Sequence, residues 1–311
     1  MNREVLEEII LNVNARTGIR NDILEKDYYV CLVLKDLATK QKDLQAYFKG
    51  GTALYKILNH MNRFSEDIDL TVKINEFDSN NSNRQRLKKA ALGYEISGLE
   101  LIKSETVDRK GSITSFYRYD SLFSFNELFK SGKVQIEATS FTISEPLGTY
   151  FIEPLIYKYA SDHEKKILKN VYQISEFSIE IIMLERIFVD KIFAAEFYYE
   201  REMYQDVCKH IYDIAVLMKH DNIKALLNTP SELIKLIELK REEEILRKGG
   251  IPSNLMIKDF NYLKLEFNDS FIACYQEMQK VYVLDDESKI DFEAIKEVLN
   301  QLLKLFKKIN V

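Results

Sequence analysis

The sequence predicts an α+β chain, with a mixed sheet and flanking helices first and a helical bundle second. Three observations carry this. Short alternating or apolar runs bounded by glycine or polar residues fall at 46–48, 68–74, 113–119 and 133–141, which is strand patterning. From about Ser175 apolar residues recur at helical spacing almost without a break. Proline is scarce, 4 in 311 residues, while Leu, Ile, Lys and Glu abound, and these residues favour helices.

Taken in order, residues 1–17 place Val5, Ile9 and Val13 on one helical face, and Gly18 ends that element. Asn21 or Asp22 caps a second helix through ILEKDYYVCLVLKDLA. The run 46–48 stops at Lys49-Gly50-Gly51, a strand running into a glycine turn. Thr52 is placed to cap a third helix with Ala53, Leu54, Ile57, Leu58 and Met61 on one face. A strand at 68–74, a polar loop or helix entry at 75–86, a helix over 86–103 and two further strands come next. Beyond Ser175 the segments SIEIIMLERIFVDKIFAAEFYYE, HIYDIAVLMKH, SELIKLIELKREEEILRK and KIDFEAIKEVLNQLLKLFKKI all read as helices, with Gly249-Gly250 and Pro252 breaking the third from the residues after it. The change of character lies within 142–175, and the division is set at 1–160 and 161–311.

Bulk properties narrow the classes. The net charge of −5 gives no global basic field, so any nucleic acid must be held by local patches. Cys31, Cys208 and Cys274 are scattered without metal-ligand spacing and read as reduced thiols. The four histidines have no partners at ligand spacing either. No apolar run approaches the ~20 residues of a membrane helix, and the N-terminal segment lacks a basic stretch followed by an apolar one, so a cytoplasmic location without membrane contact is expected.

The chemistry lies in Phe48-Lys49-Gly50-Gly51-Thr52-Ala53-Leu54 and Arg63-Phe64-Ser65-Glu66-Asp67-Ile68-Asp69-Leu70. A glycine pair between strand and helix lets backbone N–H groups face an anion at the helix N-terminus. In the next strand Asp67 and Asp69 stand two apart and share a face, while Ile68 and Leu70 point to the core. A phosphate cradle is thereby joined to an oxygen donor set suited to Mg²⁺. Phosphoryl chemistry of this kind calls for a third carboxylate, and Glu137 in Val134-Gln135-Ile136-Glu137-Ala138 is the candidate; the alternative is a solvated Glu on a strand face.

This constellation resembles the AbiEii/AbiGii toxin-type nucleotidyltransferases, a branch of the DNA-polymerase-β-like superfamily. The match covers Gly50, Gly51, Thr52, Ala53, Leu54, Arg63, Ser65, Asp67, Ile68, Asp69 and Leu70. Weaker likenesses lie in Glu25-Lys26-Asp27-Tyr28, in Glu185 through Lys191, and in Tyr212-Asp213-Ile214, where His210 replaces an Asp that often precedes the Tyr-Asp pair. The likeness spans about residues 23–217.

The resemblance implies a polymerase-β-like sheet and transfer of a nucleotide from an NTP. Asp67, Asp69 and Glu137 would hold Mg²⁺, with Mn²⁺ as a substitute. Glu137 would accept the proton of the attacking hydroxyl. Gly50, Gly51 and Thr52 would contact phosphate, and Arg63 and Ser65 would brace the metal-binding loop or touch phosphate. Lys191 would offer charge to the triphosphate and Asp213 would orient Lys191 or the acceptor, the helical region contributing both to the cleft; the plainer readings are a surface lysine and a local pairing of Asp213 with Lys209. The resemblance further implies a toxin of a toxin–antitoxin or abortive-infection system, with the 3′ end of a tRNA as acceptor and a cognate antitoxin encoded nearby. Other outcomes on the same core are a small-molecule acceptor such as an antibiotic, a protein acceptor, or a non-catalytic NTP-binding protein.

Overall fold

The computed structural model describes residues 2–60, 63–75, 77–123, 132–247, 249–264 and 268–311. The chain divides into two compact units, Met1–Ile182 and Met183–Val311.

The first unit runs α1 (Arg3–Thr17), α2 (Asn21–Leu44), β1 (Ala46–Lys49), α3 (Gly50–Leu58), β2 (Ile68–Val72), α4 (Asn80–Leu92), β3 (Glu100–Leu101), β4 (Val107–Arg109), β5 (Ser112–Arg118), β6 (Lys133–Thr139), β7 (Leu147–Ile152), α5 (Leu155–Lys158), α6 (Asp162–Asn170) and β8 (Phe177–Ile182). Among the described residues the strands form one mixed sheet in the order β3-β5-β6-β2-β1-β8-β7, with β4 paired to β5. The pleat sorts its side chains by face. Phe48, Leu70, Ala138 and Ile113 are neighbours across the strands and wholly buried. One residue further along each strand, Lys49, Asp69, Glu137 and Thr114 form a half-buried row on the other face. Helix α2 packs along β1, β6 and β8, and α4 along β2, β5 and β6.

The second unit is α7 (Leu184–Tyr199), α8 (Tyr204–Met218), α9 (Asp221–Leu227), α10 (Pro230–Leu246), α11 (Asp269–Tyr282) and α12 (Phe292–Ile309). Its core sets Phe188, Ile192 and Phe193 of α7 with Ile211, Tyr212 and Ile214 of α8, all essentially without exposure. No described helix is long and apolar enough to cross a membrane.

Several local expectations change. The segment Phe177–Ile182, expected as the start of a long helix, is strand β8, paired parallel to β1 and antiparallel to β7. Phe177, Ile179 and Ile181 alternate with Ser178 and Glu180, the period of a strand, and the β-branched isoleucines favour the sheet. Helix α4 starts at Asn80, within the stretch expected as loop or helix entry, because the Ser79 side chain caps it by accepting from the Ser82 N–H at 3.1 Å; it ends before Gly93, well short of 103. The third helix starts at Gly50 with Lys49 at its N-cap, so Thr52 is already inside it; it ends at Leu58, and Met61 lies outside the described residues. Strands β3, β4 and β7 are not among those the sequence pattern predicts.

Candidate active site

Asp69 lies in β2 and Glu137 in β6, and the two are register partners on adjacent parallel strands. Residues so paired carry their side chains on the same face about one strand spacing apart. Asp67 stands two residues earlier, just before β2, and like the other two is half-buried. The fold thus brings the three carboxylates to one edge of the polar face.

Gly50 is the first residue of α3, with φ +82°. A Cβ there would stand 2.1 Å from Asp69 Oδ2. Glycine is therefore required twice over, for the left-handed backbone and for the carboxylate lying against its bare Cα. Gly51 and Thr52 come next in the first turn, both buried. The Thr52 hydroxyl donates to Ser65 Oγ at 3.0 Å, tying the start of α3 to the segment leading into β2. Arg63 is 5% exposed; its guanidinium donates to the Phe64 carbonyl at 3.1 Å and sits over the Tyr55 ring, 5.4 Å from the centroid.

Lys191 on α7 and Asp213 on α8 belong to the second unit, where they pair at 2.8 Å with side-chain exposures of 7% and 0%. Lys209 instead pairs with Asp206 at 3.4 Å, so the local Asp213–Lys209 alternative is not formed.

The donor set suits a hard divalent cation, since the three groups are all carboxylates. Among the described residues no three His, Cys, Asp or Glu side chains close around a common metal position.

Several charged residues to which the sequence pattern assigns no role surround the site. Lys49 and Thr114 share the row with Asp69 and Glu137. On α2, Glu25, Lys26 and Asp27 are buried in succession, at 1%, 3% and 4%. Lys26 pairs with Glu66 at 3.1 Å. Asp27 accepts from Lys56 of α3 and, at 2.8 Å, from the Leu155 N–H. Burial opposes the charge of Lys56, but the Asp27 carboxylate outweighs it and holds the ammonium above its ordinary pKa. Burial pushes the Glu25 carboxyl up, against hydrogen bonds from Ser121 Oγ (2.6 Å) and the Leu122 N–H (2.8 Å). Burial, with Asp27 beside it, pushes the Cys31 thiol up to about 12. The signal for this cluster is three consecutive charges inside an otherwise apolar stretch of α2, Ile23-Leu24 before them and Tyr28 through Leu34 after.

Residues 32–302 match the protein family described as nucleotidyl transferase AbiEii toxin, type IV toxin–antitoxin system. Among solved structures the chain resembles MenT4, a nucleotidyltransferase toxin of Mycobacterium tuberculosis H37Rv, at 14% identity and a TM-score of 0.49, over 94% of this chain and 98% of that one. Among curated proteins none matches.

Proposed function

We propose, from the premise that the chain belongs to the AbiEii nucleotidyltransferase toxin family of type IV toxin–antitoxin systems, that it transfers a nucleotide from an NTP to the 3′ end of a tRNA in a Mg²⁺-dependent reaction. As a member of that family it is an enzyme, a nucleotidyltransferase. The metal, the acceptor and the residue roles are our reading. The observation that carries it is the in-register pair Asp69 and Glu137, with Asp67 two residues before and Gly50 against the Asp69 carboxylate.

In this reading Asp67, Asp69 and Glu137 hold Mg²⁺, or Mn²⁺ in its place. When bound, the cation supplies Lewis acidity to the phosphoryl oxygens. The N–H groups at the start of α3, from Gly50, Gly51 and Thr52, receive phosphate oxygens, which the helix terminus favours. Arg63 and Ser65 brace the segment between α3 and β2. Glu137 accepts the proton of the attacking hydroxyl. Lys191 offers a compact positive charge to the triphosphate, and Asp213, 2.8 Å away, fixes the position of its ammonium. A tRNA blocked at its 3′ end cannot be aminoacylated, which would stop growth; the antitoxin would be encoded nearby. The net charge of −5 favours a second acceptor class, a small molecule or a protein.

The test is to induce wild type and Asp69→Ala in a bacterial host and to incubate both proteins with α-labelled NTPs and total tRNA. Growth arrest and tRNA labelling by wild type alone support the reading. Arrest by both variants ends the metal-dependent mechanism, and arrest by wild type without labelled tRNA ends the tRNA assignment. Glu137→Gln isolates the third carboxylate, and unchanged activity would remove it from the site.

A further inference from the structure

We infer that Lys26 is a positioning residue for the carboxylate site, its buried ammonium joining the two backbone segments that deliver Asp67, Asp69 and Glu137. The inference rests on the metal-dependent reading above.

The Lys26 side chain is 3% exposed and Glu66 is 12% exposed, and Nζ stands 3.1 Å from Glu66 Oε2. The same ammonium donates to the carbonyl oxygen of Lys133. Glu66 immediately precedes Asp67, and Lys133 is the first residue of β6, four before Glu137. Because β2 and β6 run parallel, with Ile68 opposite Ile136, these contacts fall at the same end of the strand pair. One charge thus ties the start of one carboxylate-bearing strand to the start of the other. A shift of either strand would displace Asp69 from Glu137.

The chemistry of burial supports a positioning task. Taking an ammonium out of water costs more than an apolar side chain at the same place, so a buried ion pair is a poor device for stability alone. Most other buried positions of α2 are apolar, Ile23, Leu24 and Val30 among them, so three consecutive buried charges stand out there. The charged residues reach different places because successive helix positions point about 100° apart. Glu25 reaches residues 121 and 122, and Asp27 reaches Lys56 and Leu155. Lys26, between them, reaches the carboxylate-bearing segments.

The test measures Mn²⁺ binding, by paramagnetic resonance of the free ion, in the presence of a mixture of the four α,β-methylene ribonucleoside triphosphates, with thermal melts of every variant. Lys26→Met and Glu66→Gln should each weaken Mn²⁺ binding by about 10–100-fold, the range for groups that orient metal ligands. The double variant should be no weaker than the worse single one, since both remove one interaction. Glu25→Gln, equally buried on the same helix, should leave Mn²⁺ affinity at the wild-type value. Wild-type affinity in Lys26→Met, or equal weakening in Glu25→Gln, overturns the inference. If Lys26→Met does not fold, Glu66→Gln, which keeps an oxygen acceptor for the lysine, decides on the same criterion. Asp69→Ala runs alongside: wild-type Mn²⁺ binding in that variant overturns the metal reading itself, whereas binding lost there but retained in Glu66→Gln and Lys26→Met overturns only the role of Lys26.

Discussion

In the first unit Asp69 and Glu137 stand half-buried on the polar face of the sheet, whereas in the second Lys191 and Asp213 close on each other with 7% and 0% of their side chains exposed. The same treatment extends through the second unit. Arg186, 1% exposed, lies 3.2 Å from Asp190 and 2.5 Å from Glu243. Lys240 lies 2.9 Å from Glu244, and although burial opposes its charge, Asp190, Glu243 and Glu244 keep it above its ordinary pKa. The contrast separates two uses of charge. Half-buried carboxylates on a sheet face keep access to water and can exchange it for a ligand. Charges closed into buried pairs cannot be deleted singly without leaving a bare ion in a water-poor interior.

The largest effect expected from this contrast crosses over between stability and activity. Asp213→Asn should destabilise the second unit by about 3–5 kcal/mol, because Lys191 is left uncompensated. Asp69→Asn, which keeps the size of a half-buried side chain, should change stability by less than about 1 kcal/mol, yet lower transfer activity by about 10²–10³-fold. Urea unfolding of both variants, with label transfer from an α-labelled NTP, reads the two axes. Equal losses of stability would break the distinction between open and closed charges.

The polar row was legible because its signals are local. Two glycines, an Asp-x-Asp spacing and strand alternation are visible within 21 residues, from Gly50 to Leu70, and the alternation around Glu137 marked its strand as well. What stayed hidden depended on distant partners. Nothing near Lys26 announces Glu66 or Lys133, and nothing near Asp27 announces Lys56. Strand β8 is a different case: Phe177, Ile179 and Ile181 alternate with Ser178 and Glu180, a local strand signal that the long helical pattern beginning at Leu184 masks. The long amphipathic patterns of α7, α8 and α12 were plain, but the pairing of Lys191 with Asp213 required two helices to be laid side by side.

A smaller effect sharpens the comparison within the first unit. Gly50→Ala places a methyl 2.1 Å from Asp69 Oδ2 at a residue with φ +82°. The left-handed backbone alone costs an alanine about 1–2 kcal/mol, and the carboxylate must also move. Activity should fall toward that of Asp69→Asn while the unfolding midpoint falls by only that backbone cost. Full activity in Gly50→Ala would mean that the position of the Asp69 carboxylate is not critical.

The smallest effect concerns a closed charge in the first unit, and it tests whether closure rather than location sets the behaviour. Glu164, in the first turn of α6, accepts from the Ser161 N–H at 2.7 Å, Ser161 Oγ at 2.8 Å, Arg16 at 2.6 Å and Asn12 at 3.1 Å. Burial acts to raise its pKa, but the hydrogen bonds from Ser161, Arg16 and Asn12 outweigh it and hold the carboxyl below its ordinary value. A carboxylate depressed in the folded state stabilises fully above the unfolded pKa of about 4.3 and loses that contribution as pH falls through the folded value. Glu164→Gln should therefore cost about 1–2 kcal/mol at pH 7, the scale of a lost cap and a charged hydrogen bond. The cost should be unchanged at pH 6 and shrink below about pH 4, where the wild-type carboxyl itself takes up a proton. Urea unfolding at pH 7, 6, 4 and 3 tracks this directly. A difference between variant and wild type that stayed constant down to pH 3 would show that the side chain, not its charge, holds α6 to α1.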